Sequence, residues 1–151
     1  IAATHGNAAT RTECRRRAEA AVTAQDEQRH LRALALFPDD AQMDNLLAEV
    51  HDGTIRTQDA PFLIRSALAP PTARGAVWRS VTDRWDELTS LLPSNSIARM
   101  LEGVRALVGE VDPDVDSFLN DHPVPQGALM VAQHRERRLV NQRLRRRLLD
   151  G

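Results

Sequence analysis

The chain has 151 residues and a formal net charge of −1, from 20 basic and 21 acidic residues. A balance this close to neutral provides no global field for nucleic acid or for an anionic membrane, so neither is an expected partner. Aromatic residues make up only 3% of the chain, and its apolar content comes mainly from Ala and Leu, which favours packed helices over a sheet. We therefore expect one all-α domain over residues 1–151.

The single cysteine and the hydropathy pattern bear on the compartment. Cys14 has no second cysteine to pair with, which fits a reducing compartment, and we expect a cytoplasmic protein. No apolar run approaches the roughly 20 residues that a membrane-spanning helix needs. The chain begins with Ile1 and not with Met, from which we expect a piece of a longer polypeptide.

Two helices are predicted before Pro38. The first, over about residues 8–22, has only a thin stripe of small apolar residues. Thr23, with Asp26 three residues later, resembles a capping box and starts the second helix, which Pro38 ends. Its predicted inward residues are Leu31, Leu34 and Ala35.

A third helix follows. Asp39 is its predicted N-cap, with Gln42 in the reciprocal position, and Gly53 is a suitable C-terminal stop. Its predicted buried face carries Met43, Leu46, Leu47 and Val50.

Residues 54–92 predict a helical hairpin. Thr57 is the predicted cap of the first helix, with Pro61 in its first turn, and after Pro70 and Pro71 end it, Thr72 is the predicted cap of the second. The apolar face of the first helix carries Ala60, Leu63, Ile64, Ala67 and Leu68. The seam of the second carries Val77, Trp78, Val81, Trp85, Leu88 and Leu92.

Three more helices complete the chain. Ser94 or Asn95 is the predicted cap of a helix with inward Ile97, Met100, Leu101, Val104, Leu107 and Val108, which Gly109 ends. Asp112 precedes a short helix that starts at Pro113, and the last helix is predicted from about Gln126 to Leu149. These patterns predict about eight antiparallel helices in a HEAT- or armadillo-like α-α superhelix, with a compact bundle as the alternative.

Several stretches resemble a known family. They are Ile-Arg-Thr-Gln-Asp at 55–59, Arg-Trp-Asp-Glu-Leu at 84–88, Asn-Ser-Ile-Ala-Arg-Met at 95–100, the run from Gln25 to Leu36, and His-Pro-Val-Pro-Gln-Gly at 122–127. In this order and spacing they resemble the C-terminal helical domain of aminopeptidase N type zinc aminopeptidases, similar to that of the endoplasmic reticulum aminopeptidases. The resemblance extends from about Gly6 to Leu149.

The resemblance implies an accessory role, because the motifs of the family's chemistry are missing. The chain has no His-Glu-x-x-His zinc motif and no Gly-x-Met-Glu-Asn substrate-amine motif. We therefore expect no catalytic residue, no metal ligand and no cofactor here, with the zinc held by the parent enzyme. The implied partners are the upstream catalytic domain of the same polypeptide and the parent's peptide substrate.

The five histidines and the two tryptophans are interpreted as structural. No two of the histidines are three or four residues apart, so each is expected at the surface or at a helix cap: His5, His30, His51, His122 and His134. Trp78 and Trp85 are expected to hold the hairpin together, and Asp59 to pair with Arg56.

The last helix has two predicted groups of arginines. At 100° per residue, Leu129, Val140, Leu144 and Leu148 share an arc that we expect to face inward, with Arg137, Arg143 and Arg147 in or beside it. Arg135, Arg138, Arg145 and Arg146 lie opposite, as a solvated face. The inner three either extend their charged ends to solvent along the apolar surface or pair with acids on neighbouring helices. As the resemblance implies, they could instead meet the carboxylate end or acidic side chains of a peptide.

We therefore predict the non-catalytic C-terminal domain of a zinc aminopeptidase, which covers the active site and contacts the distal part of the peptide. The alternative from another class is a free-standing helical-repeat scaffold for protein binding, and a third is an Arg-rich RNA-binding module. In isolation the domain can also dimerise through the face that its missing partner would cover.

Overall fold

The structure, a computed structural model, describes residues 8–37, 42–109 and 113–149. These ranges contain no strand, and they form α1 (Ala8–Glu19), α2 (Ala24–Leu34), α3 (Gln42–His51), α4 (Ala60–Ala67), α5 (Arg74–Asp83), α6 (Trp85–Leu91), α7 (Ser94–Met100), α8 (Pro113–Asp121) and α9 (Ala128–Leu149). Two 3₁₀ helices, Leu101–Ala106 and Pro125–Gly127, flank α8. The all-α prediction is confirmed. The predicted caps Asp39 and Asp112 lie outside the described residues, as do the side chains of Gln42 and Met43.

The helices alternate along the chain between two layers. In one layer α2 packs on α4, α4 on α7 and the 3₁₀ helix Leu101–Ala106, and these on α9. In the other layer α1 reaches α3 through the ion pair of Arg15 with Glu49, at 2.6 Å, and α3 packs on α5. Trp85 at the start of α6 then contacts Phe118 of α8. Alternating helices in two such layers are the arrangement of HEAT-like repeats.

The two apolar faces predicted for the hairpin lie in the hydrophobic core. All five residues of the first predicted face and all six of the second are buried. The second helix is interrupted, however, because Arg84 leaves helical geometry with φ −114° and ψ 25° and divides it into α5 and α6. Arg84 pairs at this break with Asp44 of α3. If α5 and α6 are counted as one interrupted helix, the described residues form eight α-helices in the two layers.

The two tryptophans pack against a third aromatic ring. Phe118 of α8 lies 5.5 Å from Trp78 and 5.2 Å from Trp85, ring centre to ring centre, and both pairs are edge to face. The structural interpretation of the tryptophans is therefore confirmed. Their contact joins the hairpin to α8 and extends beyond the hairpin itself.

One of the predicted N-terminal caps is confirmed. The Thr23 hydroxyl oxygen accepts a hydrogen bond from the Asp26 N–H at 3.2 Å and caps α2. The side-chain caps predicted at Thr57, Thr72 and Ser94 or Asn95 are wrong. The observed N-cap positions of α4, α5 and α7 are Asp59, Ala73 and Pro93.

Backbone carbonyls replace side-chain acceptors at these wrongly predicted starts. The Arg56 carbonyl accepts from the N–H groups of Asp59 and Ala60, at 2.9 and 3.3 Å. The Pro70 carbonyl does the same for Ala73 and Arg74. A hydrogen-bonded turn therefore leads into each helix, and the Asp59 carboxylate is left to pair with Arg56 at 3.0 Å, as expected.

The helix after Pro93 also differs from the prediction. It is α-helical only to Met100 and continues as a 3₁₀ helix to Ala106. Here the chain passes so close to α4 that a Cβ on Gly103 would lie 2.5 Å from Leu68 Cδ1 and 3.2 Å from the Arg65 carbonyl oxygen. The predicted stops Gly53 and Gly109 have positive φ angles, of 81° and 106°.

Candidate functional site

Helix α9 packs by the face opposite to the predicted one. Its buried residues are Val131, His134 and Arg138, of which Arg138 is only 1% exposed. The arc predicted to face inward is exposed, at 75% for Leu129, 46% for Val140, 55% for Leu144 and 74% for Leu148. The predicted orientation of α9 is therefore wrong. Its buried face is held largely by polar contacts with residues that are distant in sequence. The α-helix also starts at Ala128, since Gln126 has non-helical angles.

Asp116 of α8 anchors two arginines of α9 that were predicted to be solvated. Arg138 donates through Nη1 to Asp116 Oδ2 at 2.7 Å and through Nε to the Leu107 carbonyl at 2.9 Å. Arg135 donates through Nε to Asp116 Oδ1 at 2.9 Å. Burial lowers the pKa of Arg138, and the carboxylate offsets part of the cost of burying this charge.

His134 is buried, and the prediction of a surface or cap histidine is wrong for this residue. Its Nδ1 accepts a hydrogen bond from Arg105 Nε at 3.1 Å, and its Nε2 lies 3.0 Å from the Ala98 carbonyl oxygen. An arginine can only donate, so Nδ1 carries no proton and Nε2 donates to Ala98. Burial is the main cause that lowers the pKa of His134.

The start of α9 is held close to α7. A Cβ on Gly127 would lie 2.3 Å from the Ala98 Cβ, so only glycine fits at this approach. Ala98 thus lies against Gly127, the residue before α9, through its methyl group and against the His134 ring through its carbonyl. This close contact fixes the direction of α9 and therefore the side chains that it presents to solvent.

The outward side of α9 is the most exposed apolar surface of the described chain. We define the outer face of α9 by Leu129, Arg137, Val140, Arg143, Leu144, Arg147 and Leu148, all exposed. Of the eight exposed large apolar residues in the described ranges, only Val22 lies outside α9. An apolar row of this length, bordered by charges, is typical of a surface that another molecule covers. The three arginines predicted to meet peptide thus lie on the outer face.

Neither metal ligands nor a membrane span are found among the residues that the structure describes. Within those ranges no group of three or more His, Cys, Asp or Glu side chains is placed to hold a metal ion. No described helix combines the length and apolar character that crossing a bilayer requires. His51 pairs with Glu87 at 2.9 Å, and His122 stacks on Phe118, so both have structural contacts.

The family model described as the ERAP1-like C-terminal domain matches residues 1–138, which leaves the last turns of α9 beyond the match. No curated protein and no solved structure matches the chain. The family model covers most of the chain and agrees with the all-helical fold. The chain therefore belongs to the ERAP1-like C-terminal domain family, found in aminopeptidase N type enzymes.

Proposed function

We propose that this chain is the non-catalytic C-terminal domain of a zinc-dependent aminopeptidase that removes N-terminal residues from peptides. It packs against the upstream catalytic domain of the same polypeptide and limits access to the active site to unfolded peptides. The zinc and the residues that activate water belong to that upstream domain.

The observation that carries this proposal is the outer face of α9 in a chain of this family. Four of its residues are large and apolar, and they are between 46% and 75% exposed. Burying a fully exposed Val or Leu side chain contributes about 1.5–3 kcal/mol, so these partly exposed side chains would each contribute roughly half to three-quarters of that against the cost of association. Membership of the family supports the catalytic domain of the same polypeptide as the partner that covers this face.

The exposed arginines of the same face extend the proposal to the substrate. Arg137, Arg143 and Arg147 border the apolar row and contact the distal carboxylate end or acidic side chains of a bound peptide. Guanidinium groups form paired hydrogen bonds with carboxylates, which suits this role. Changing each of the three singly to Ala in the longer enzyme raises the KM for peptides of three to ten residues, whereas Arg79→Ala, at an exposed arginine of α5, leaves the KM unchanged. Unaltered KM values for all three variants would contradict the peptide contact.

Aminopeptidase assays test the accessory role itself. The chain and the longer polypeptide from the same reading frame are compared on chromogenic Ala and Leu substrates, with added zinc and with a chelator. We expect activity in the longer polypeptide only, abolished by the chelator. Inactivity of both would favour a helical scaffold that binds other proteins, and zinc-dependent activity of the chain alone would overturn the accessory role.

A further inference from the structure

Where α9 meets α7, a buried histidine is built into a chain of charged groups. Glu102 of the 3₁₀ helix accepts from Arg65 of α4 at 2.7 Å and from Arg105 at 3.1 Å. Arg105 donates in turn to His134 Nδ1, and His134 Nε2 donates to the Ala98 carbonyl. The His134 ring, on α9, is therefore hydrogen-bonded both to the 3₁₀ helix Leu101–Ala106 and to α7.

The hydrogen bond from Arg105 requires a neutral ring, whereas the Ala98 carbonyl can accept from Nε2 in either protonation state and raises the pKa of His134 against the larger effect of burial. A proton added to Nδ1 would point at the Arg105 Nε–H, which is also a donor, and that hydrogen bond would be lost. The new charge would stand among Arg105 and Arg65, with Glu102 already shared between those two guanidinium groups. From α8, Asp116 is engaged by Arg135 and Arg138. Among the described groups, no unshared carboxylate faces the ring to compensate its charge.

We propose that His134 is a pH-sensitive latch, which holds α9 on α7 at neutral pH and releases it when the ring takes up a proton. Release separates the ring from Arg105 and Ala98 and admits water to both. Because the inner and outer faces belong to one helix, release also displaces the apolar row and the arginines of the outer face. The latch operates within this chain alone and does not depend on the proposed role in an aminopeptidase.

The direction of the pH effect follows from the two protonation states. In an opened α9 the ring has its ordinary pKa of 6.5, whereas burial lowers the pKa in the closed domain. Below pH 6.5 the opened form therefore binds more protons, and acid favours opening. Closure is most stable above this pH and weakens as the pH falls toward the lowered pKa.

Amide hydrogen exchange of the whole chain, followed by mass spectrometry from about pH 8 to about pH 5, tests the latch. After correction for intrinsic exchange rates, protection of α9 should fall by up to about tenfold per pH unit below the ordinary histidine pKa, while protection of α4 changes less. In His134→Gln, whose amide can still donate to the Ala98 carbonyl, this pH dependence should disappear. His51→Gln, which removes an exposed histidine paired with Glu87, should retain it.

Three results would overturn the latch. These are an α9 protection that does not fall in the wild type, an equal fall in His134→Gln, and a loss of the fall in His51→Gln. If His134→Gln does not fold, the NMR titration of the His134 ring in the wild type decides. A ring that titrates below pH 6.5, in step with the loss of α9 protection, supports the latch, and one that titrates at or above this value refutes it.

Discussion

Replacing Asp116 by Asn tests whether one carboxylate holds α9 in its observed orientation. The change keeps the shape of the side chain but removes the charge that Arg138 and Arg135 contact at 2.7 and 2.9 Å. A hydrogen bond to a charged group contributes about 1.5–3 kcal/mol. The Asp116 side chain is 37% exposed, so solvent screening favours the lower half of that range. We expect the free energy of unfolding to fall by about 2 kcal/mol, which lowers Tm by roughly 4–8 °C for a domain of this size.

Urea unfolding followed by circular dichroism at a constant m-value measures this loss. Asp121→Asn is the matched control, because Asp121 is an exposed carboxylate at the end of the same helix, and it should change the free energy by less than about 0.5 kcal/mol. In an Arg138→Met background, Asp116→Asn should cost less than in the wild type, since one of the two contacts is already absent. If Asp116→Asn costs no more than Asp121→Asn, the carboxylate does not hold α9 and the explanation for its orientation fails.

Three further predictions concern packing, and each is checked by Tm and by urea unfolding. Gly127→Ala should lower the free energy of unfolding by about 1–3 kcal/mol, because the added methyl group overpacks against Ala98. Adding Ala98→Gly should restore part of this loss. If it does not, the clash lies elsewhere. Phe118→Leu should cost about 1–2 kcal/mol because both edge-to-face contacts with the tryptophans are lost, and a neutral effect would mean that α8 is held by other contacts. Leu144→Ala on the outer face should lower the free energy of unfolding by less than about 0.5 kcal/mol, and Leu88→Ala in the core should lower it by about 2–5 kcal/mol. The reverse order would mean that the outer face of α9 is the buried one.

The hairpin shows what the sequence can predict in this chain. Its seams follow helical periodicity over many residues, and the predicted inward side chains, from Leu63 to Leu92, are buried. Periodicity is sufficient there because apolar partners cover those faces on several sides. The positions of the helix starts were less predictable, since the carbonyls of Arg56 and Pro70 provide acceptors that Thr57 and Thr72 were expected to supply.

Helix α9 shows why the rest could not be predicted. A helical wheel assigns the largest apolar arc to the core, but the buried face of α9 carries His134 and Arg138. Their partners are the Ala98 and Leu107 carbonyls, Arg105 and Asp116, all distant in sequence. Only the assembled fold reveals that these groups meet. Inward arginines paired with acidic residues were predicted for this helix. The observed pairs with Asp116 are made by Arg138 and Arg135, which were assigned to the solvated face.

The accessibility of the outer face of α9 in the longer polypeptide tests the proposed domain contact most directly. A cysteine at Leu144, in a Cys14→Ala background, is labelled with maleimide in the chain alone and in the longer polypeptide, and the modified peptide is quantified by mass spectrometry. A cysteine at the exposed Arg79 of α5 serves as the control. We expect labelling at position 144 to slow by at least about tenfold in the longer polypeptide, and labelling at position 79 to stay unchanged, because a covered thiol is inaccessible to the reagent. Equal rates at position 144 in both proteins would contradict the proposal that the catalytic domain covers this face.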